Sequence, residues 1–139
     1  MILVIARILL VLDSLIFVMV GLFSVTDPTG RENLDIVTAS GFTAIRTWGG
    51  LLFGVGLVGL IASLSKKWIA QGLFVLFVAG GMIVLSRLYG IAIDGVEPKQ
   101  LTELRDESLG PLLAATGLFF LWIHRRRSSR SFRESLEPD

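Results

Sequence analysis

Long uninterrupted apolar blocks constrain this chain more than any other feature of its sequence. The first block covers residues 2–24, and three more cover about 42–64, 68–93 and 108–124. A helix that crosses a lipid bilayer needs roughly 20 consecutive apolar residues. Since 53% of the 139 residues are hydrophobic, a soluble domain of this size could not bury them all. The pattern predicts an all-α integral membrane protein, a bundle of four transmembrane helices.

The first block is predicted to stay in the protein as a transmembrane helix. A cleaved signal peptide has an apolar core of about 7–15 residues followed by small residues at the cleavage site. Here the apolar block is longer, and Phe23-Ser24-Val25-Thr26 is a poor cleavage site. Residues 1–124 are therefore predicted to form one four-helix domain, and residues 125–139 a basic tail.

The basic residues predict how the helices are oriented. Lys66 and Lys67 occupy the short connection after the second block, and the tail is rich in arginine, whereas the other two connections are acidic on balance. Basic residues concentrate in cytoplasmic loops. Both termini are therefore predicted to lie in the cytoplasm, in a multi-pass protein of the inner (plasma) membrane. The residues expected to touch anionic lipid at the membrane surface are Arg125, Arg126, Arg127 and Arg130.

Charged residues inside the apolar blocks predict a polar cluster. Arg46 and Arg87 lie at similar depth near the outer leaflet, because their helices run in opposite directions. A charge at the bilayer centre costs at least ~2.5–3.5 kcal/mol, so such residues usually pair inside a bundle. We expect both arginines to pair with Asp94 and with one of two acids further along the chain. These two candidate acids are Glu103 and Glu107, and Asp13 would be the deepest member.

This cluster has three interpretations. The first is structural: the arginines reach the interface and hold the loops by ion pairs. The second is a small polar pocket for an anionic or carbonyl-bearing head group. The third is a proton or ion pathway, although a single buried acid is too few for a relay.

Glycines in the second and third blocks predict where helices approach each other. Gly50 and Gly54 form a small-xxx-small pair, which favours close helix contact. Gly49 shares a helical face with Arg46, and Gly80 shares one with Arg87. The second and third helices are therefore predicted to be the packing core.

Composition excludes several functions. The chain has no cysteine and one histidine, His124, so disulfides, iron–sulfur ligation and a bis-histidine haem within one chain are excluded. We expect no metal and no cofactor. No nucleophile and base are arranged as a catalytic motif, and a net charge of +1 gives no basic field for nucleic acid.

Several short motifs carry a family resemblance. They are Ile45-Arg46-Thr47-Trp48-Gly49-Gly50, Ser86-Arg87-Leu88-Tyr89, Asp94-Gly95-Val96-Glu97-Pro98 and an acid before the fourth block. The pattern resembles a family of small bacterial four-helix membrane proteins, the domain of unknown function family 4345, and is loosely similar to DoxX-like proteins. The resemblance covers residues 1–124. It implies a four-helix bundle whose shared polar set would be Arg46, Arg87, Asp94 and Glu107, and it implies no activity.

These observations favour a non-catalytic membrane protein, an accessory or structural subunit of a larger complex that binds lipid at the arginine and acid cluster. Its expected partners are membrane lipids and other membrane subunits or further copies of itself. The alternative is a binding protein or enzyme for a lipid-like or quinone-like small molecule, with Asp13 or Glu107 as the acid–base group. A transporter fragment active only as an oligomer is a third hypothesis.

Overall fold

The structure, a computed structural model, describes residues 1–27, 39–96 and 98–134, and omits the side chains of residues 39–41, 94 and 127–134. Every regular element in these residues is a helix. The predicted all-α four-helix fold is therefore confirmed. The elements are α1 (Ile2–Thr26), α2 (Ala39–Ser63), α3 (Ile69–Asp94) and α4 (Pro98–Glu134).

The sequence explains where the helices end. α1 stops at Thr26, after which the backbone N–H of Asp27 donates to the Phe23 carbonyl oxygen. α3 stops where Gly95 adopts a φ of 99°, a backbone conformation that costs glycine little. Two residues separate Gly95 from Pro98, whose ring suits the first turn of a helix. The α3–α4 connection is therefore short, and α4 turns back along α3.

Three of the helices are long and apolar enough to cross a membrane: Ile2–Thr26, Phe42–Ser63 and Ile69–Ile93. These correspond to the first three predicted spans. The fourth predicted span, residues 108–124, lies within α4, which is one continuous helix of 37 residues. Residues 98–107, which precede this span, are the first part of the same helix. That both termini lie in the cytoplasm stays a prediction.

The four helices form an antiparallel bundle in which α1 contacts all three others. α2 and α3 also contact each other, as do α3 and α4, whereas the described parts of α2 and α4 do not touch. The core residues lie along the inner faces of these helices: Ala6, Leu10, Phe17, Ala62, Ile69, Leu73, Leu76 and Ala114. α1, rather than the predicted pair of α2 and α3, is therefore the helix around which the bundle packs.

The two ends of the bundle differ in charge. We call the end that holds Arg46, Arg87 and Glu103 the acidic end, after the two acidic connections that follow α1 and α3. The opposite end, with Lys66, Lys67 and the last turns of α4, is the basic end.

Candidate functional site

A guanidinium held by two carboxylates links α3 to α4 near the acidic end. Arg87 Nε donates to Glu107 Oε2 at 2.5 Å, and a second Arg87 nitrogen donates to Glu107 Oε1 at 2.6 Å. The third nitrogen donates to Glu103 Oε2 at 2.6 Å. Because Glu103 and Glu107 are one helical turn apart on α4, both reach the same arginine. The sequence predicted one of these acids as a partner of Arg87, and in the structure both acids bind it.

The charges of this Arg87 cluster are balanced. Lys99 lies one turn before Glu103 on α4, with 3.8 Å between its Nζ and Glu103 Oε1. Arg87 and Glu107 are about three-quarters covered, since their side chains are 24% and 28% exposed. All three guanidinium nitrogens of Arg87 are engaged, so the cluster has the properties of a structural clamp between α3 and α4 rather than of an open anion site.

Arg46 does not join this cluster. It lies on α2, which makes no contact with the described part of α4, and its side chain is exposed. Within the part of the chain that the structure describes, Arg46 has no ion pair. Among the described residues the two arginines are therefore not brought together, and a cluster shared by both stays a prediction. The side chain of Asp94, also predicted to belong to it, lies outside the described residues.

Asp13 lies in the contact between α1 and α4. It is fully buried, and neither carboxylate oxygen has a hydrogen-bond partner among the described residues. A methyl group placed on Gly110 would lie 3.0 Å from Asp13 Oδ1, so the carboxylate rests directly against the α4 backbone. Gly110 is three residues beyond Glu107, about 4.5 Å along the helix. Asp13 is thus the deepest of the predicted polar residues, but it is not bonded to the Arg87 cluster.

The predicted packing glycines divide into two groups. Gly49 lies against Ser24 and Gly21 of α1, and Gly80 lies against Pro111 of α4. Gly50 and Gly54, in contrast, have no atom within 4 Å of an added methyl group. The small-xxx-small pair predicted from them is therefore not a helix contact within the described part of the chain.

Sequence reasoning missed the glycines and the proline that shape the real contacts. Gly56 and Gly59 lie against Val18 and Ser14 of α1, and the hydroxyl of Ser14 donates to the Leu10 carbonyl at 2.6 Å. For α4, the sequence signal was the adjacent pair Gly110-Pro111 in an otherwise apolar block. Proline inside a helix removes a backbone donor, so this pair marks an irregular point of the helix.

At the basic end, the Arg126 guanidinium lies 3.8 Å above the ring of Trp122, which stacks on Phe119. Trp122 and Phe119 are exposed, which is the arrangement expected of amphipathic groups at a membrane surface. Arg125 is also exposed. The side chains of Arg127 and Arg130 fall outside the described residues.

An open apolar groove runs between α1 and α4. Its lining is almost wholly hydrocarbon and comes from Leu12, Leu15, Ile16, Met19, Val20 and Leu113. In the described residues, no three acidic or histidine side chains gather as a metal site would require. The polar features of the described residues are therefore the Arg87 cluster, the exposed Arg46 and the buried Asp13.

Four helices, three of them long and apolar enough to span a membrane, joined by a partly buried ion-pair cluster, define a membrane-type four-helix protein. The chain belongs to the family described as a domain of unknown function (DUF4345), whose profile matches residues 5–104. The match includes Asp13, Arg46, Arg87 and Glu103, and it ends three residues before Glu107. No curated protein and no solved structure matches the chain. The family resemblance is thus confirmed, whereas the looser DoxX-like similarity is not shown.

Proposed function

We propose that this chain is a non-catalytic membrane subunit that docks onto another membrane protein through the exposed face of α2. The observation that carries the proposal is the state of Gly50 and Gly54. No described atom lies within 4 Å of a methyl group added to either glycine, whereas α1 packs directly against Gly49, Gly56 and Gly59 of the same helix. One helix therefore has two glycine faces, of which only one is used inside the chain.

The open face has the features of a helix-binding surface. Glycines four residues apart let a second backbone approach closely, which is a main source of helix association in lipid. Arg46 lies four residues before Gly50, so it shares this face. Large apolar side chains continue the face toward the basic end, with Leu57 39% and Ile61 67% exposed. We call the surface formed by Arg46, Gly50, Gly54, Leu57 and Ile61 the α2 outer face.

The charge on Arg46 indicates what the partner supplies. An exposed arginine in an apolar span needs a carboxylate, a carbonyl or a phosphate to offset its desolvation. The proposed partner is a transmembrane helix with a small residue at the depth of Gly50 and Gly54 and an acidic or carbonyl group at the depth of Arg46. Binding of a phospholipid phosphate by Arg46 is the competing outcome of the test.

The test is photocrosslinking in the native membrane from a probe at Leu57. We expect a protein adduct with the wild-type face, and its loss when Gly50→Leu and Gly54→Leu are combined. Neither position has a neighbour within 4 Å, so the monomer should fold normally. The matched control is Gly81→Leu, an equally open glycine on α3. Its neighbours four residues away are Phe77 and Leu85, so it has no small-xxx-small pair.

Lipid adducts alone from the Leu57 probe would contradict docking onto a protein. Equal loss of the protein adduct in the Gly81→Leu control would contradict the assignment to α2. A lipid bound at Arg46 would instead appear as phospholipid that co-purifies with the wild-type chain and is lost in Arg46→Gln.

The alternative, a binding protein or enzyme for a lipid-like or quinone-like molecule, has one supporting observation, the apolar groove between α1 and α4. Against it, all three nitrogens of Arg87 are bonded to carboxylates, and these two negative charges disfavour a further anion at this arginine. A quinone-like compound that stabilises the wild type but not Leu113→Trp would favour the alternative.

A further inference from the structure

We propose that Asp13 is a proton-binding site, and that the α1–α4 contact forms around its neutral acid. The carboxyl group is fully buried at the middle of α1 and has no hydrogen-bond partner among the described residues. Burying an isolated carboxylate in such a medium is strongly unfavourable, and a bound proton removes most of this cost.

The charged groups on the neighbouring elements do not compensate Asp13. On α1, the buried Nε of Arg7 also lacks a partner, and Arg7 lies six residues, about 9 Å, further along the helix axis. On α3 and α4, Arg87 and Glu107 are bonded to each other. On α2, Arg46 is exposed and faces away from the bundle. No described cation therefore neutralises this carboxylate.

Asp13 is closely packed by α4 and by its own helix. Gly110 presents its backbone to Asp13 Oδ1, and Phe17 closes the site from one turn away on α1. A metal ion would need several further ligands at short distance, and Asp13 belongs to no group of three or more His, Cys, Asp or Glu side chains in the described residues.

Loss of the proton would change the α1–α4 contact. An ionised Asp13 needs water or a cation, and neither can enter while Gly110 is in contact with it. α4 can bend at Pro111, because proline has no N–H to donate to the Glu107 carbonyl. The Arg87 cluster would hold the segment before Gly110 against α3 while the contact with α1 opens.

The first test is infrared difference spectroscopy of the reconstituted chain. At neutral pH we expect the carbonyl stretching band of a protonated carboxylic acid, with its hydrogen–deuterium shift, and we expect Asp13→Asn to lose it. The control is Asp106→Asn, which removes an exposed carboxylate and should leave the band unchanged. Absence of the band in the wild type would overturn the proposal.

The second test measures the α1–α4 distance. The chain has no cysteine, so spin labels can be placed on Leu12→Cys and Leu112→Cys, whose side chains are 48% and 61% exposed. We expect the distance to increase at alkaline pH with Asp13 present and to stay constant with Asp13→Asn. The same increase in both would overturn the proposal. Since neither label touches the α2 outer face, failure here leaves docking through α2 unaffected.

Discussion

At the scale of single residues, the planar guanidinium of Arg87 determines how this residue binds its two acids. Arginine presents a rigid planar set of donors that matches a carboxylate with two parallel bonds, whereas lysine offers one compact charge. Arg87→Lys should therefore lose the paired bonds to Glu107 while keeping the charge. Because both side chains are largely covered, we expect a loss of about 1–3 kcal/mol in stability. Thermal unfolding in detergent, followed by tryptophan fluorescence, measures it.

The control for this prediction is Arg105→Lys. Arg105 also bonds a carboxylate, Asp106, at 2.9 Å, but its side chain is 75% exposed and its partner's 58%. An exposed pair of this kind contributes little, so the melting temperature should hardly change. If both variants lower it equally, the Arg87 cluster is not the clamp between α3 and α4 that the geometry indicates.

The sequence was sufficient to predict some polar residues and insufficient for others. Arg87 and the acids of α4 were predictable because a short α3–α4 connection forces the helix ends together. Arg46 is not brought to the Arg87 cluster by the described residues, since depth in the membrane follows from position along a helix, but the direction of a side chain around the axis does not. Asp13 was predicted to be the deepest charge, but its burial against Gly110 without a hydrogen-bond partner among the described residues depends on how α1 packs on α4.

At the scale of helices, the α1–α2 contact depends on small residues on both sides. A methyl group on Gly21 would meet the backbone nitrogen of Phe53 and lie 2.7 Å from the Gly49 carbonyl oxygen. Backbone atoms cannot give way as a flexible side chain can. Gly21→Ala should therefore push α1 from α2 and cost about 1–3 kcal/mol. Gly81→Ala, with no neighbour within 4 Å, should be neutral or slightly stabilising in the same unfolding assay.

An unchanged melting temperature for Gly21→Ala would contradict this packing. The comparison also shows why the glycine pattern alone did not predict the contact. α2 has glycines on two faces, and a small-xxx-small spacing identifies Gly50 and Gly54, whereas α1 packs on Gly49, Gly56 and Gly59. The α2 sequence alone does not show which of its two glycine faces packs on α1. That choice depends on how α1 contacts every other helix.

At the scale of the whole molecule, the open question is how the bundle sits in the membrane. The acidic and basic ends differ in charge, and the basic end is predicted to be cytoplasmic. By length and composition, α1, α2 and α3 are apolar enough to span a membrane, whereas the described part of α4 is not. Yet α4 runs antiparallel beside α3, with Gly80 on Pro111 and Leu73 on Gly117. We therefore predict that α4 crosses the membrane together with α3.

Single cysteines test both points, since the chain has none of its own. Val96→Cys marks the acidic end, Ser65→Cys the basic end, and His124→Cys the last turns of α4. A membrane-impermeant maleimide added to intact cells should label Val96→Cys at once, and the other two only after the membrane is permeabilised. Immediate labelling of Ser65→Cys alone would show the reverse orientation for the first three helices. Labelling of Val96→Cys and His124→Cys together would show that α4 does not cross, because its two ends would then share one side.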